Sequence, residues 1–67
     1  MAVYKKIEIV GTSKTSFAEA VKAAVAEAGK SVRSMSWFEV VEQRGAIKDG
    51  KVLEFQVTIR IGFKVEA

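Results

Sequence analysis

The chain contains no cysteine, no histidine and no proline. Without cysteine there is no disulfide, and without cysteine or histidine the common zinc ligand sets cannot be assembled. A cation held by carboxylates alone is the remaining metal option. Asp49 is the single aspartate, however, and the scattered glutamates show no loop with ligand spacing. Catalysis is poorly supplied for the same reason. There is no histidine base, no cysteine nucleophile and no serine beside a base partner, and no two glutamates are spaced to converge within one subunit. Gly11, Gly45, Gly50 and Gly62 build neither a P-loop nor a dinucleotide fingerprint. A non-enzymatic role is expected.

Long apolar runs are also lacking. No stretch approaches the ~20 residues of a membrane helix, and Lys5, Lys6 and Glu8 interrupt the early apolar segment where a secretory signal would lie. A soluble cytoplasmic protein is the expectation, and the missing cysteine fits a reducing compartment. Charge of one sign is not concentrated either. Eleven basic and eight acidic residues give a net charge of +3, the basic ones run from Lys5 to Lys64, and only Lys5 and Lys6 are adjacent. A nucleic-acid binder gathers such charge into a patch or stripe and binds salt-sensitively. Here the distribution reads as a mixed solvated surface, with neither nucleic acid nor membrane as partner.

What is present is short. Sixty-seven residues make one domain, 1–67, and a domain of this size buries only about 60% of its unfolded surface. Chains this small are commonly stapled by disulfides, a metal or other subunits. With the first two missing, oligomerisation is expected.

The pattern along the chain is β-α-β-β. Val3 to Val10 is rich in β-branched residues, with Ile7 and Ile9 on one face, and Gly11-Thr12-Ser13 is read as its end. Ser16-Phe17-Ala18-Glu19 has the form of a capping box. Phe17, Val21, Val25, Ala28 and Val32 follow at helical spacing, and the helix is expected to end between Ala28 and Arg33. Met35–Lys48 and Lys51–Val65 flank Asp49-Gly50, a type I′ hairpin signal. The last strand alternates, with Leu53, Phe55, Val57, Ile59, Ile61, Phe63 and Val65 on one face. Its regularity places it centrally in a three-stranded antiparallel sheet, an α+β fold with one helix on the apolar face.

A two-residue turn also predicts register. Lys48 pairs with Lys51, Val40 with Ile59, Phe38 with Ile61, Glu39 with Arg60, Gln43 with Gln56 and Trp37 with Gly62. The last pair leaves open space beside an indole on the face away from the helix. Glu42 and Arg44 fall awkwardly on the apolar side, which calls for a bulge near Val41 or a hairpin reaching beyond the helix. The face carrying Trp37, Val41, Gln43, Gln56, Thr58 and Arg60 is too polar for a core and reads as a binding surface. A tryptophan is ordinarily core or interface filling, and an outward glutamine is ordinarily solvated. The predicted face and the glycine opposite are what lift Trp37 above that expectation.

Taken in order, Lys6-Ile7-Glu8-Ile9-Val10-Gly11-Thr12-Ser13, Ser16 with the alanine-rich helix, Trp37-Phe38-Glu39-Val40, Arg44-Gly45, Asp49-Gly50, Phe55-Gln56-Val57 and Gly62-Phe63-Lys64 resemble the dodecin family of small flavin-binding proteins. The likeness runs from about Val3 to Glu66, and its specificity lies in the order and spacing of these strings. It implies a hollow homododecamer with flavins held in pairs at two-fold interfaces, each ring stacked on tryptophan. Trp37 falls at the stacking position and Gln56 at the residue that hydrogen-bonds the ring edge. Arg44 matches a basic position linked in some members to phosphate-bearing ligands such as coenzyme A. Lys64 stands where relatives often carry arginine. FMN is favoured over riboflavin, because the mild basic balance argues against an extreme halophile. Such a protein would store, sequester or buffer flavin. A structural cage with incidental ligand binding is the alternative, and the colour of the purified protein separates the two.

Overall fold

A computed structural model of the chain describes residues 1–66. Strand β1 covers Tyr4–Ser13, helix α1 Phe17–Ala28, strand β2 Met35–Lys48 and strand β3 Lys51–Lys64. The three strands form one antiparallel sheet in the order β1-β3-β2, so the most regular strand is central as expected. Asp49 and Gly50 both take positive φ, 52° and 74°, the backbone a type I′ turn requires.

β1 is longer than its sequence pattern suggested. Gly11 does not end it, since the strand pairs through Gly11↔Val57 to Ser13↔Phe55. The glycine serves helix packing instead. A Cβ built on it would lie 2.2 Å from the Ala20 carbonyl oxygen and 2.8 Å from the Ala24 Cβ. The helix therefore approaches the sheet at Gly11 more closely than any side chain permits. The capping box is half formed. The Glu19 amide donates to Ser16 Oγ at 3.0 Å, but the Ser16 amide turns to Ser13 Oγ at 3.4 Å. The Glu19 carboxylate pairs with Lys22 instead of reaching back. Gly29 caps the other end, inside the expected window.

The core is small: Ala20, Ala24, Val57, Ile59 and Ile61 are buried, with Ile7, Ile9, Phe17, Val21, Val25, Ala28 and Met35 packed around them. The helix lies over β1 and β3 rather than over the whole sheet. On that same face of β2, Phe38 and Val40 stay half exposed. Lengths explain the rest. A 12-residue helix spans ~18 Å and a 14-residue strand ~46 Å, so the β2–β3 hairpin outruns its cover. Its tip exposes Ile47, Val52 and Leu53. The chain measures 51 × 20 × 13 Å with a radius of gyration of 13.8 Å, against about 11 Å for a compact chain of this length. Among the described residues no helix is long and apolar enough to cross a membrane.

Candidate functional site

The predicted register holds beside the turn and from Trp37 to Val40, and fails between these stretches and at Met35, which a shift at Ser36 sets opposite Phe63. Trp37↔Gly62, Phe38↔Ile61, Glu39↔Arg60 and Val40↔Ile59 pair as expected, and so does Lys48↔Lys51. Between Val40 and Glu42 the register shifts, with Val41 the extra residue. A second shift leaves Leu53 extra on β3 and restores the original count. Between the two shifts every β2 side chain changes face. Gln43 pairs with Val57, not with Gln56, and Arg44 takes the place opposite Gln56. The bulge thus answers the misfit at Glu42 and Arg44 by bringing both to the polar face.

That face reads as four cross-strand rows: Lys6, Gly62 and Trp37; Glu8, Arg60 and Glu39; Val10, Thr58 and Glu42; Thr12, Gln56 and Arg44. The space beside Trp37 is not open, as the sequence suggested, but filled by the indole itself. A Cβ on Gly62 would fall 2.2 Å from both Trp37 Cε2 and Cζ2. The indole lies directly against the Gly62 backbone and is still 41% exposed. Tyr4 supports it from β1, with ring centroids 5.1 Å apart and planes tilted by 49°. Lys64, paired with Tyr4, stands one row beyond and is exposed. An apolar groove of about 220 Å³ runs along the edge of Trp37 between Val25, Met35, Phe38 and Ile61.

The second row carries alternating charge. Arg60 Nε donates to Glu8 Oε1 at 2.9 Å, and Lys6 Nζ pairs with Glu39 Oε1 at 2.5 Å. The hydrogen bond from Lys6 holds the Glu39 carboxyl below the usual carboxylate range, with the Lys6 and Arg60 charges adding to it. The hydrogen bond to Glu8 raises Arg60 above its ordinary value. In the fourth row Arg44 Nε donates to Gln56 Oε1 at 2.6 Å, and Arg44 Nη1 pairs with Glu42 Oε1 at 3.3 Å.

The four residues singled out in the sequence therefore form two clusters. Trp37 and Lys64 lie at one end of the face, and Gln56 with Arg44 at the other. Gln56 and Gly62 are six residues apart on an uninterrupted stretch of β3, or about 20 Å at ~3.3 Å per residue. The changed pairing leaves this separation intact, because both anchors are measured along β3. Sequence reasoning missed Tyr4, Lys6 and Glu8 as members of the face. No tight turn fixes the register of β1, so only their alternation with Ile7 and Ile9 could have found them.

This is a small β-α-β-β chain whose polar sheet face presents an indole seated on glycine, and whose hairpin reaches past its own core. The chain belongs to the dodecin family, whose model matches residues 3–66. It is 48% identical over 64 residues to the dodecin of Thermus thermophilus, covering 96% of this chain and 93% of that one. The structure of dodecin from Streptomyces coelicolor superposes with a TM-score of 0.95 at 41% identity, covering 98% and 94% of the two chains. The calcium dodecin of Mycobacterium tuberculosis, whose structure is described as having a novel calcium-binding site, matches with a TM-score of 0.84 at 37% identity, covering 96% and 91%.

Proposed function

We propose that this chain is one subunit of a homo-oligomeric cage, a dodecamer, that binds flavin between subunits and sequesters it without transforming it. The seat of Trp37 is the observation that carries this reading. A half-exposed indole braced by a glycine backbone and by Tyr4 offers one fixed, electron-rich plane to a flat partner. An isoalloxazine is flat, aromatic and electron-poor, and stacks on such a plane. It also meets a nearby electron donor there, so its excited state is quenched and its photochemistry suppressed. No acid, base or nucleophile is needed for that task.

The distance between Trp37 and Gln56 supports a pocket shared between chains. About 20 Å along one strand exceeds what a single ring spans while stacking on one residue and hydrogen-bonding the other. The uncovered Phe38 and Val40 and the apolar hairpin tip give neighbours a surface to bury. Lys64 is a cation available to a ligand phosphate, whether of FMN or of coenzyme A, whereas Arg44 is engaged by Gln56 and Glu42.

Flavin fluorescence titration of Trp37→Ala against wild type tests the reading. A base–aromatic stack is worth about 1–3 kcal/mol by alanine substitution, and an isoalloxazine is larger than a base. The variant is expected to lose flavin affinity at least tenfold with the oligomer intact by native mass spectrometry. Unchanged affinity would return Trp37 to packing alone. Release of the ligand by denaturation, followed by chromatography, distinguishes FMN from riboflavin. A colourless purified protein that takes up no added flavin would favour the structural cage.

A further inference from the structure

We infer that Arg44 is a positioning residue that fixes the side-chain amide of Gln56, so that Gln56 faces a flavin edge as a hydrogen-bond donor. The inference rests on the flavin reading above and assigns the polarity of its edge contact. A glutamine amide can ordinarily rotate by half a turn and offer either its oxygen or its NH₂ to a partner. Here that freedom is removed by chemistry. Arg44 Nε carries a proton and is never an acceptor, so the Gln56 atom 2.6 Å away must be the oxygen. The short, charge-assisted bond holds the oxygen towards β2. The nitrogen, with its two protons, then points away from Arg44.

Arg44 is itself held. Its Nη1 pairs with Glu42 Oε1 at 3.3 Å, leaving Nε for the glutamine. The bulge at Val41 makes the arrangement possible, because an unshifted register would put Gln43 opposite Gln56 and Arg44 on the opposite face. Gln56 is also half-buried between Thr12 on β1 and Arg44 on β2, which limits its alternatives. The ligand edge that suits this arrangement carries acceptors. The carbonyl oxygens and unprotonated ring nitrogens of an oxidised isoalloxazine meet that requirement, and the chemistry is independent of any phosphate on the ribityl chain.

The test uses the assembled protein and lumiflavin, which has the ring system but neither ribityl nor phosphate. Removing one hydrogen bond's worth of orientation predicts a loss of about three- to tenfold in lumiflavin affinity for Arg44→Ala. Arg44→Lys restores part of it, and FMN loses affinity by the same factor. In the Gln56→Ala background Arg44→Ala has no further effect. Gln56→Glu keeps an acceptor for Arg44 but has no NH₂ to give, and is expected to bind as weakly as Gln56→Ala. A loss confined to FMN would make Arg44 a phosphate contact, and additive losses in the double variant would separate the two residues; either overturns the inference. Wild-type affinity in Gln56→Glu would overturn the donor assignment. One measurement needs no ligand: the Arg44 Nε proton should exchange slowly by NMR in the free oligomer and rapidly in Gln56→Ala. If wild type shows that protection but binds no lumiflavin, the flavin reading has failed while the Arg44–Gln56 lock stands. Rapid Nε exchange in wild type overturns the lock itself.

Discussion

Adding one methyl group at Gly62 should disable the stacking surface without substituting any residue that contacts the ligand. The Cβ introduced by Gly62→Ala would sit 2.2 Å from two atoms of the indole and 2.7 Å from a third, Trp37 Cδ2. Ordinary contact begins at 3.4 Å, so the ring must retreat by about 1.2 Å. The backbone at Gly62 cannot give way, because it is paired on both sides, with Lys6 and with Trp37. The indole, 41% exposed, can lift outwards. Overpacking costs about 1–3 kcal/mol, and with an exit to solvent the low end applies. For a domain this small about 1 kcal/mol lowers Tm by roughly 4–8 °C. Lifting also breaks the contact with Tyr4, which removes the brace that keeps the ring plane fixed. Flavin affinity should fall by about tenfold or more, a magnitude comparable with losing the stack itself. Near-UV circular dichroism of the single tryptophan reports the displacement, flavin fluorescence the affinity, and a thermal scan at fixed protein concentration the stability. In a Trp37→Ala background the same methyl should be nearly neutral for stability, since nothing remains for it to strike. Wild-type flavin affinity with an unchanged tryptophan signal in Gly62→Ala would show that the indole does not depend on a bare glycine beneath it.

Other consequences can be checked separately. Gly11→Ala places its methyl 2.2 Å from a backbone carbonyl of the helix, which cannot swing aside as the indole can; a loss at or above the upper end of the ~1–3 kcal/mol overpacking range is expected in chemical denaturation. The Glu39 carboxyl is depressed in the folded chain, chiefly by its hydrogen bond from Lys6. Its contribution is therefore present above the unfolded carboxylate value and is lost as pH falls through the lower folded one. Lys6→Met should move the Glu39 titration upwards, as read by NMR of its carboxyl carbon; an unmoved titration would show that Lys6 is not the cause. Five buried core residues in an elongated chain predict that no stable monomer persists at micromolar concentration. A folded monomer by native mass spectrometry would contradict that.

Much of the fold was legible because it is locally encoded. Asp49-Gly50 fixes a turn, β3 alternates without a break, and Ser16 starts the helix where its amide acceptor is needed. The register beside the turn and again from Trp37 to Val40 followed from the turn, because the shifts at Val41 and Leu53 compensate, but it did not extend to Met35, which a further shift sets opposite Phe63. The stretch between the two compensating shifts did not follow. No residue in Val40-Val41-Glu42 announces a bulge by type, and only the misplaced charges at Glu42 and Arg44 hinted at it. The cost of that gap was the Arg44–Gln56 contact, which the straight register puts on opposite faces. Gly11 and Gly62 were visible as glycines, but their roles depend on what approaches them. Gly11 was read as a breaker when it is the seat of the helix, and Gly62 as open space when it is the seat of the indole. Tertiary proximity decides such positions, and a single sequence does not display it.

The proposed flavin pocket takes Trp37 from one chain and Gln56 from another. Co-assembly tests that sharing directly. Trp37→Ala and Gln56→Ala subunits are unfolded, mixed and refolded together, and bound flavin is measured by fluorescence against each variant refolded alone. Each variant alone should bind weakly, since every pocket lacks one partner. In the mixture some pockets draw Trp37 from a Gln56→Ala subunit and Gln56 from a Trp37→Ala subunit, so a fraction of wild-type flavin capacity at wild-type affinity should return. If mixing restores none, with mixed oligomers verified by native mass spectrometry, the two residues do not meet one flavin across a subunit boundary and the shared pocket is contradicted.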